Sequence, residues 1–179
     1  YKDKRGVYPP DNPANPALNQ LFYELAGSVY TGTLTPATSF RRIHGGETIK
    51  QSDVQAVFGV GGFINSSFVA NPLDTVQLQQ AEVRDFFSEL KPTEYLEIIN
   101  KPGDPVTAVL GLVDVDGPVM YSSPTSGKKI NPWRYVSSNP ANNPGSYDLW
   151  VEITVSGKTY RISNWSLEVA CCHLLRRIE

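Results

Sequence analysis

The side chains able to run a reaction are few in this chain, and they lie far apart. There are two histidines. His44 sits in the Gly-containing run RRIHGGETIK, and His173 lies near the other end in LEVACCHLLRRIE. Neither is set in the serine, cysteine or carboxylate pattern of an activated nucleophile, or in the helix of a metalloprotease, so both read as packing or surface residues. Asp114 and Asp116 stand two apart in DVDGPVMY and would share a face if that stretch stayed extended. Joined by Glu94 or His44, such a pair is a candidate for glycosidic acid/base work, and with the Gly117 turn it is a candidate for calcium. The run lacks the remaining oxygen ligands of an EF-hand loop, and a solvated turn accounts for it. GVGGF (59–63) resembles a phosphate-cradling loop but has no Walker lysine and no suitable preceding strand, so it reads as a connection. Cys171 and Cys172 are neighbours. A bridge between them would be strained and their spacing does not suit zinc, so they are expected to pack on a terminal helix. No residue is assigned a catalytic, cofactor-binding or metal-binding role, and the chain is read as a non-enzyme.

The chain as a whole bounds the rest. Its 179 residues suit one domain. A formal charge of −2 supplies no basic field for nucleic acid or anionic lipid. Fourteen prolines and fourteen glycines imply many turns. Asn15-Pro16 is expected to cap a helix over about 16–27, with Leu18, Leu21, Phe22 and Leu25 as its apolar stripe and Gly27 as its stop. Asn71-Pro72 repeats the device for a helix through about Lys91, with Val76, Val83, Phe86, Phe87 and Leu90 inward and Pro92 closing it. Between these, DVQAVF suggests a short helix ending at Gly59 within a weakly patterned stretch. TEYLEIIN reads as irregular or helical, VTAVLGLVD as a strand, and 167–179 as a terminal helix. From 131 to 165 the β signals are strongest. Leu149, Val151, Ile153 and Val155 alternate with Trp150, Glu152 and Thr154, and Ser156-Gly157 is hairpin chemistry. All three tryptophans lie here. Trp133, Tyr135, Tyr147, Trp150 and Tyr160 are then either core packing or a sugar-stacking platform.

Two ends of the chain also carry a family resemblance. Pro132-Trp133, an Asn/Pro/Gly-rich loop at 139–145, Tyr147-Asp148-Leu149, Gly157 and Ile162-Ser163-Asn164-Trp165 resemble the C-terminal sheet of type II secretion major pseudopilins. Asp114–Tyr121 competes with Pro132-Trp133 for the Gly-Pro-Tyr strand start of that family. YKDKRGVYPPD (1–11) is similar to the end of the long pilin helix and the Tyr-Pro element after it. The resemblance implies an α+β, pilin-like fold in which an antiparallel C-terminal sheet packs on helices, with an atypical insertion over 28–113. It implies a head domain lacking its hydrophobic N-terminal helix. That head would be anchored by the helix in the inner membrane, would project into the periplasm and would assemble with other pseudopilin subunits and inner-membrane secretion components. Tyr1, Tyr8, Trp133, Asn142, Tyr147, Trp150 and Trp165 are the assembly-interface candidates. The family also binds calcium between the Tyr-Asp-Leu strand and Ile-x-Asn-Trp. Here that loop is shortened and Arg161 stands where the family has an aspartate, so no calcium or other cofactor is expected. The alternative function is a secreted carbohydrate- or ligand-binding module using exposed aromatics.

Overall fold

The computed structural model describes residues 1–32, 38–44, 48–87 and 89–166. The expected terminal helix, with Cys171, Cys172 and His173, lies outside the described residues. What is described is mostly β, with 31% strand against 15% helix, arranged as sheets of four, four and three strands. The helix-packed, pilin-like α+β fold is therefore incorrect.

The reason shows at each expected helix. In 12–20 the asparagine side chains take backbone partners that a helix would have used. Asn12 Nδ2 donates to the Leu18 carbonyl at 2.8 Å, and Asn19 Nδ2 donates to those of Pro16 and Trp133 at 2.8 and 2.7 Å. Such bonds offer the chain turns in place of helix, and the helix α2 shrinks to Leu21–Ala26. The second long helix is cut to α4, Thr75–Gln80, capped by Asp74, whose Oδ1 accepts from the Val76 and Gln77 amides. Beyond it the backbone is drawn into tertiary bonds, Phe86 N to the Leu25 carbonyl at 2.8 Å and Arg84 N to Asn65 Oδ1 at 3.1 Å. Val83, Phe86 and Phe87 consequently do not form one helical stripe. The two other helices are α1, Lys2–Arg5, closed by the left-handed Gly6, and α3, Gln51–Phe58, which ends at Gly59 as expected.

The stretch read as weakly patterned builds the first sheet. Its strands are β1 (Ser28–Tyr30), β2 (Ser39–Arg42), β3 (Thr48–Lys50) and β4 (Ser66–Phe68), in the order β3-β2-β1-β4, with β4 parallel to β1. TEYLEIIN yields a strand, β5 (Tyr95–Ile98), which pairs antiparallel with β6 (Thr107–Val113). With β7 (Tyr121–Ser122) and β8 (Lys129–Pro132) these form the second sheet, β5-β6-β8-β7. The third sheet is β11-β10-β9, from β9 (Arg134–Val136), β10 (Asp148–Val155) and β11 (Lys158–Ser163). Its β10–β11 hairpin turns at Ser156 and Gly157, whose φ values of 51° and 74° give the type I′ geometry that suits strand twist. Asn131 joins the second and third sheets, its Nδ2 donating to the Glu152 carbonyl at 2.6 Å.

The main core gathers around α2. Tyr23 stacks on Phe63 at 4.7 Å, and Phe63 meets Phe40 edge-on at 5.1 Å. The aromatic centre of the molecule thus lies in residues 22–63, while the three tryptophans are only partly buried. Gly27 shows how tightly the chain packs against a second, small cluster of Val29, Val69 and Val83. Its φ of 70° and ψ of 145° suit glycine alone, and an added Cβ would lie 2.4 Å from Val83 Cγ1 and 2.8 Å from the Arg84 carbonyl. Gly27→Ala is expected to destabilise the fold on the order of 2–4 kcal/mol by chemical denaturation, from strain and overpacking together.

Candidate functional site

The residues that carry the resemblance come from both ends of the chain, and the fold brings them together. Residues 8–11 run as a strap across β9 and the segment after it. Tyr135 Oη and Ser137 Oγ donate to the Pro9 carbonyl at 2.9 and 2.8 Å. Asp11 Oδ2 accepts from the amides of Ser137 and Ser138 and from Ser138 Oγ, at 3.0, 3.2 and 2.9 Å. Tyr8 meets Tyr147 edge-on at 5.3 Å, and its hydroxyl lies 3.2 Å from Ser146 Oγ. This contact lowers the Tyr8 phenol below its ordinary value, and the Lys2 ammonium, 4.4 Å over the ring, acts in the same direction.

Beside the strap, α1 is fastened elsewhere. Tyr1 Oη donates to Glu24 Oε2 at 2.6 Å, and the Tyr1 ring lies 5.1 Å from Phe86. Arg5 Nη2 donates to Asn65 Oδ1 and, at 2.7 Å, to the Glu82 carbonyl. Glu24 is fully buried and also accepts from the amides of Ile64 and Asn65 at 2.8 and 2.9 Å. Asn65 Nδ2 donates to the carbonyls of Glu24 and Arg84. Burial raises the Glu24 carboxyl above its ordinary value against the pull of these donors and of Arg5.

Between α1 and the strap lies a groove of about 430 Å³, walled by Tyr1, Tyr8, Leu21, Leu25, Tyr135 and Tyr147. Burial drives the Tyr1 and Tyr135 phenols far above their ordinary range, and the Glu24 hydrogen bond adds to the effect at Tyr1. Both donate hydrogen bonds here, Tyr1 to Glu24 and Tyr135 to the Pro9 carbonyl. His44, Glu94, Asp114 and Asp116 do not line this groove. His44 lies 3.3 Å from Asp85, Glu94 Oε2 caps the Lys91 amide, and Asp114 Oδ1 accepts from that of Lys129.

The remaining motif residues hold the 139–145 loop. Asp148, 3% exposed, accepts from Asn142 N, Asn142 Nδ2 and Asn143 N, each at 2.9 Å. Burial opposes its ionisation, but these bonds and that of Ala141 prevail and hold its carboxyl below the usual range. Asn164 Oδ1 accepts from the Leu149 amide and its Nδ2 donates to the Tyr147 carbonyl, both at 2.9 Å. Asn142, one of the interface candidates, also staples this loop.

The aromatic platform divides between the two faces of the third sheet. Trp133, Tyr135 and Tyr147 pack toward the main core, whereas Trp150 meets Trp165 edge-on at 5.6 Å on the opposite face. Glu152 on that face receives Arg161 at 2.7 Å and lies 3.6 Å from Arg134. Among the described residues no group of three His, Cys, Asp or Glu side chains is placed to hold a metal ion. With two guanidinium groups on Glu152, calcium titration by calorimetry is expected to give no saturable heat at micromolar concentration; a stoichiometric isotherm would show otherwise.

Sequence reading missed Glu24, Asn65 and Asp11. Glu24 did leave a signal, because it is the lone charge in the apolar run LFYELA. No family model, curated protein or solved structure matches the chain.

Proposed function

We propose that the chain is the head of a structural, pseudopilin-like subunit that assembles in the cell envelope through an apolar helix joined ahead of α1. One observation carries this reading. The residues of both resembling ends converge on one junction, and their polar atoms are consumed in holding it. Asp11, Asp148, Asn143, Asn164 and Tyr135 all bond to backbone. Groups so committed, Tyr135 and Asp148 of them buried, fix shape and leave little free for bond-making chemistry. The mostly β architecture gives no help here; the reading rests on the junction and on the resemblance.

The test is cross-linking of the full-length gene product in its own cells. A ladder of regularly spaced multimers, containing this protein or its companion secretion subunits, is expected. A product that stays monomeric would sink the proposal. The half-buried Trp150–Trp165 pair favours the second reading, a carbohydrate-binding module. Retention on polysaccharide that Trp150→Ala abolishes, with the melting temperature unchanged, would replace assembly by that reading.

A further inference from the structure

Gly6 separates two fastened pieces of chain. Its φ is 77°, its N–H donates to the Lys2 carbonyl at 2.7 Å, and nothing lies within 4 Å of where a Cβ would stand, so no side-chain packing holds the backbone there. Val7, next to it, is 47% exposed. On the far side the strap is tied to the third sheet through Pro9 and Asp11. On the near side α1 has four residues, none of them buried, and cannot be stable by itself. What holds it is Tyr1 on Glu24 and Arg5 on Asn65 and the Glu82 carbonyl. Glu24 and Asn65 are buried, at 0% exposure each, and they bond to each other, Asn65 N to Glu24 Oε2 at 2.9 Å; the Glu82 end is exposed.

We propose that Gly6 is a hinge locked by the Glu24–Asn65 pair, so that two buried residues set the direction in which the chain enters the head. An unlocked hinge would let α1 swing away from the groove. A locked one makes α1 a rigid extension of the body, and whatever is joined ahead of it inherits a fixed angle. As a device for assembly this rests on the function proposed above, whereas the lock itself does not.

The lock is read by pulsed dipolar EPR on this chain. Cys171→Ser and Cys172→Ser remove the native thiols, and nitroxides are placed at Lys4→Cys and Thr159→Cys, both exposed in the structure. One narrow distance distribution is expected. Tyr1→Phe combined with Arg5→Ala removes the side-chain hydrogen bonds from Tyr1 and Arg5 to the body while Glu24 and Asn65 stay in place, as do the Phe86 ring contact and Lys2 over Tyr8. The distribution should then broaden about twofold or more, as for a segment moving on a pivot, while the melting temperature of the body stays within a few degrees. Tyr1→Phe alone deletes one oxygen atom and should give a smaller broadening, which keeps the test readable if the double variant folds poorly. A broad distribution in the parent chain would overturn the lock, as would an unchanged one in the double variant. The outcome is independent of multimer formation, so a monomeric product with a locked hinge would remove only the assembly reading.

Discussion

Glu24→Leu is expected to lower stability by about 3–5 kcal/mol in urea denaturation. The side chain is completely buried, and three donors converge on it from two distant parts of the chain: Tyr1 Oη, and Ile64 N and Asn65 N. Leucine would relieve the cost of burying a carboxyl group but could not remove the two backbone N–H groups, which would remain without acceptors. The unsatisfied donors outweigh the relief. Glu24→Gln keeps an acceptor of the same shape, and a loss of about 1–2 kcal/mol is expected. The pH dependence separates the two forms. Burial raises the folded-state carboxyl above its ordinary value of 4.5. A raised value means that the folded state holds the proton more tightly than the unfolded chain. The stabilisation from Glu24 is therefore fully present below 4.5 and is lost as pH rises through the folded value. Denaturation midpoints of the parent chain relative to Glu24→Gln should decline over that window. A constant difference would show that the carboxyl does not titrate in place.

Asp148→Ala is expected to cost about 2–4 kcal/mol, and Asp148→Asn about half of that. The alanine variant strips the acceptor from Asn142 N, Asn142 Nδ2 and Asn143 N at once. Because the 139–145 loop has no other anchor as dense, its amides should lose hydrogen-exchange protection before the rest of the third sheet does. The pH slope here has the opposite sign. The folded value is lowered from 3.8, so the stabilisation is present above 3.8 and is lost as pH falls through the lower folded value. Acid should thus free the loop while leaving Glu24 favourably protonated. Exchange measured near pH 3 and at pH 7 checks this, and equal protection of 142–143 at both would contradict it.

The elements legible in the sequence were those whose information is local. The β10–β11 hairpin needs only a period of two and a Ser-Gly turn, and it forms where that pattern stands, pairing Val155 with Lys158. β6 and α3 are of the same kind. The helices expected over 16–27 and 73–91 had the right apolar spacing and the right cap residues, yet each keeps only six residues. Their backbones found other partners, nearby in the side chains of Asn12 and Asn19 and at a distance in Asn65 and the Leu25 carbonyl. Propensity differences are a few tenths of a kcal/mol per residue, and a buried bond to a fixed partner readily exceeds them.

The site divides along the same line. Tyr1, Tyr8, Tyr147, Asp148 and Asn164 could be picked out by their motifs, and the structure gathers them near one junction. Glu24 showed only as a lone charge in an apolar run and Asn65 not at all, because their roles depend on partners 40 residues or so apart that only the closed fold brings within 3 Å. The residue types and their order determined which short strands and turns could form. Tertiary packing decided how far the helices extend, which face each tryptophan takes, and that Gly6 stands between two anchored segments. The physical reason is that local preferences are weak and numerous, while a buried carboxylate or amide must find all its partners and overrides them where it does.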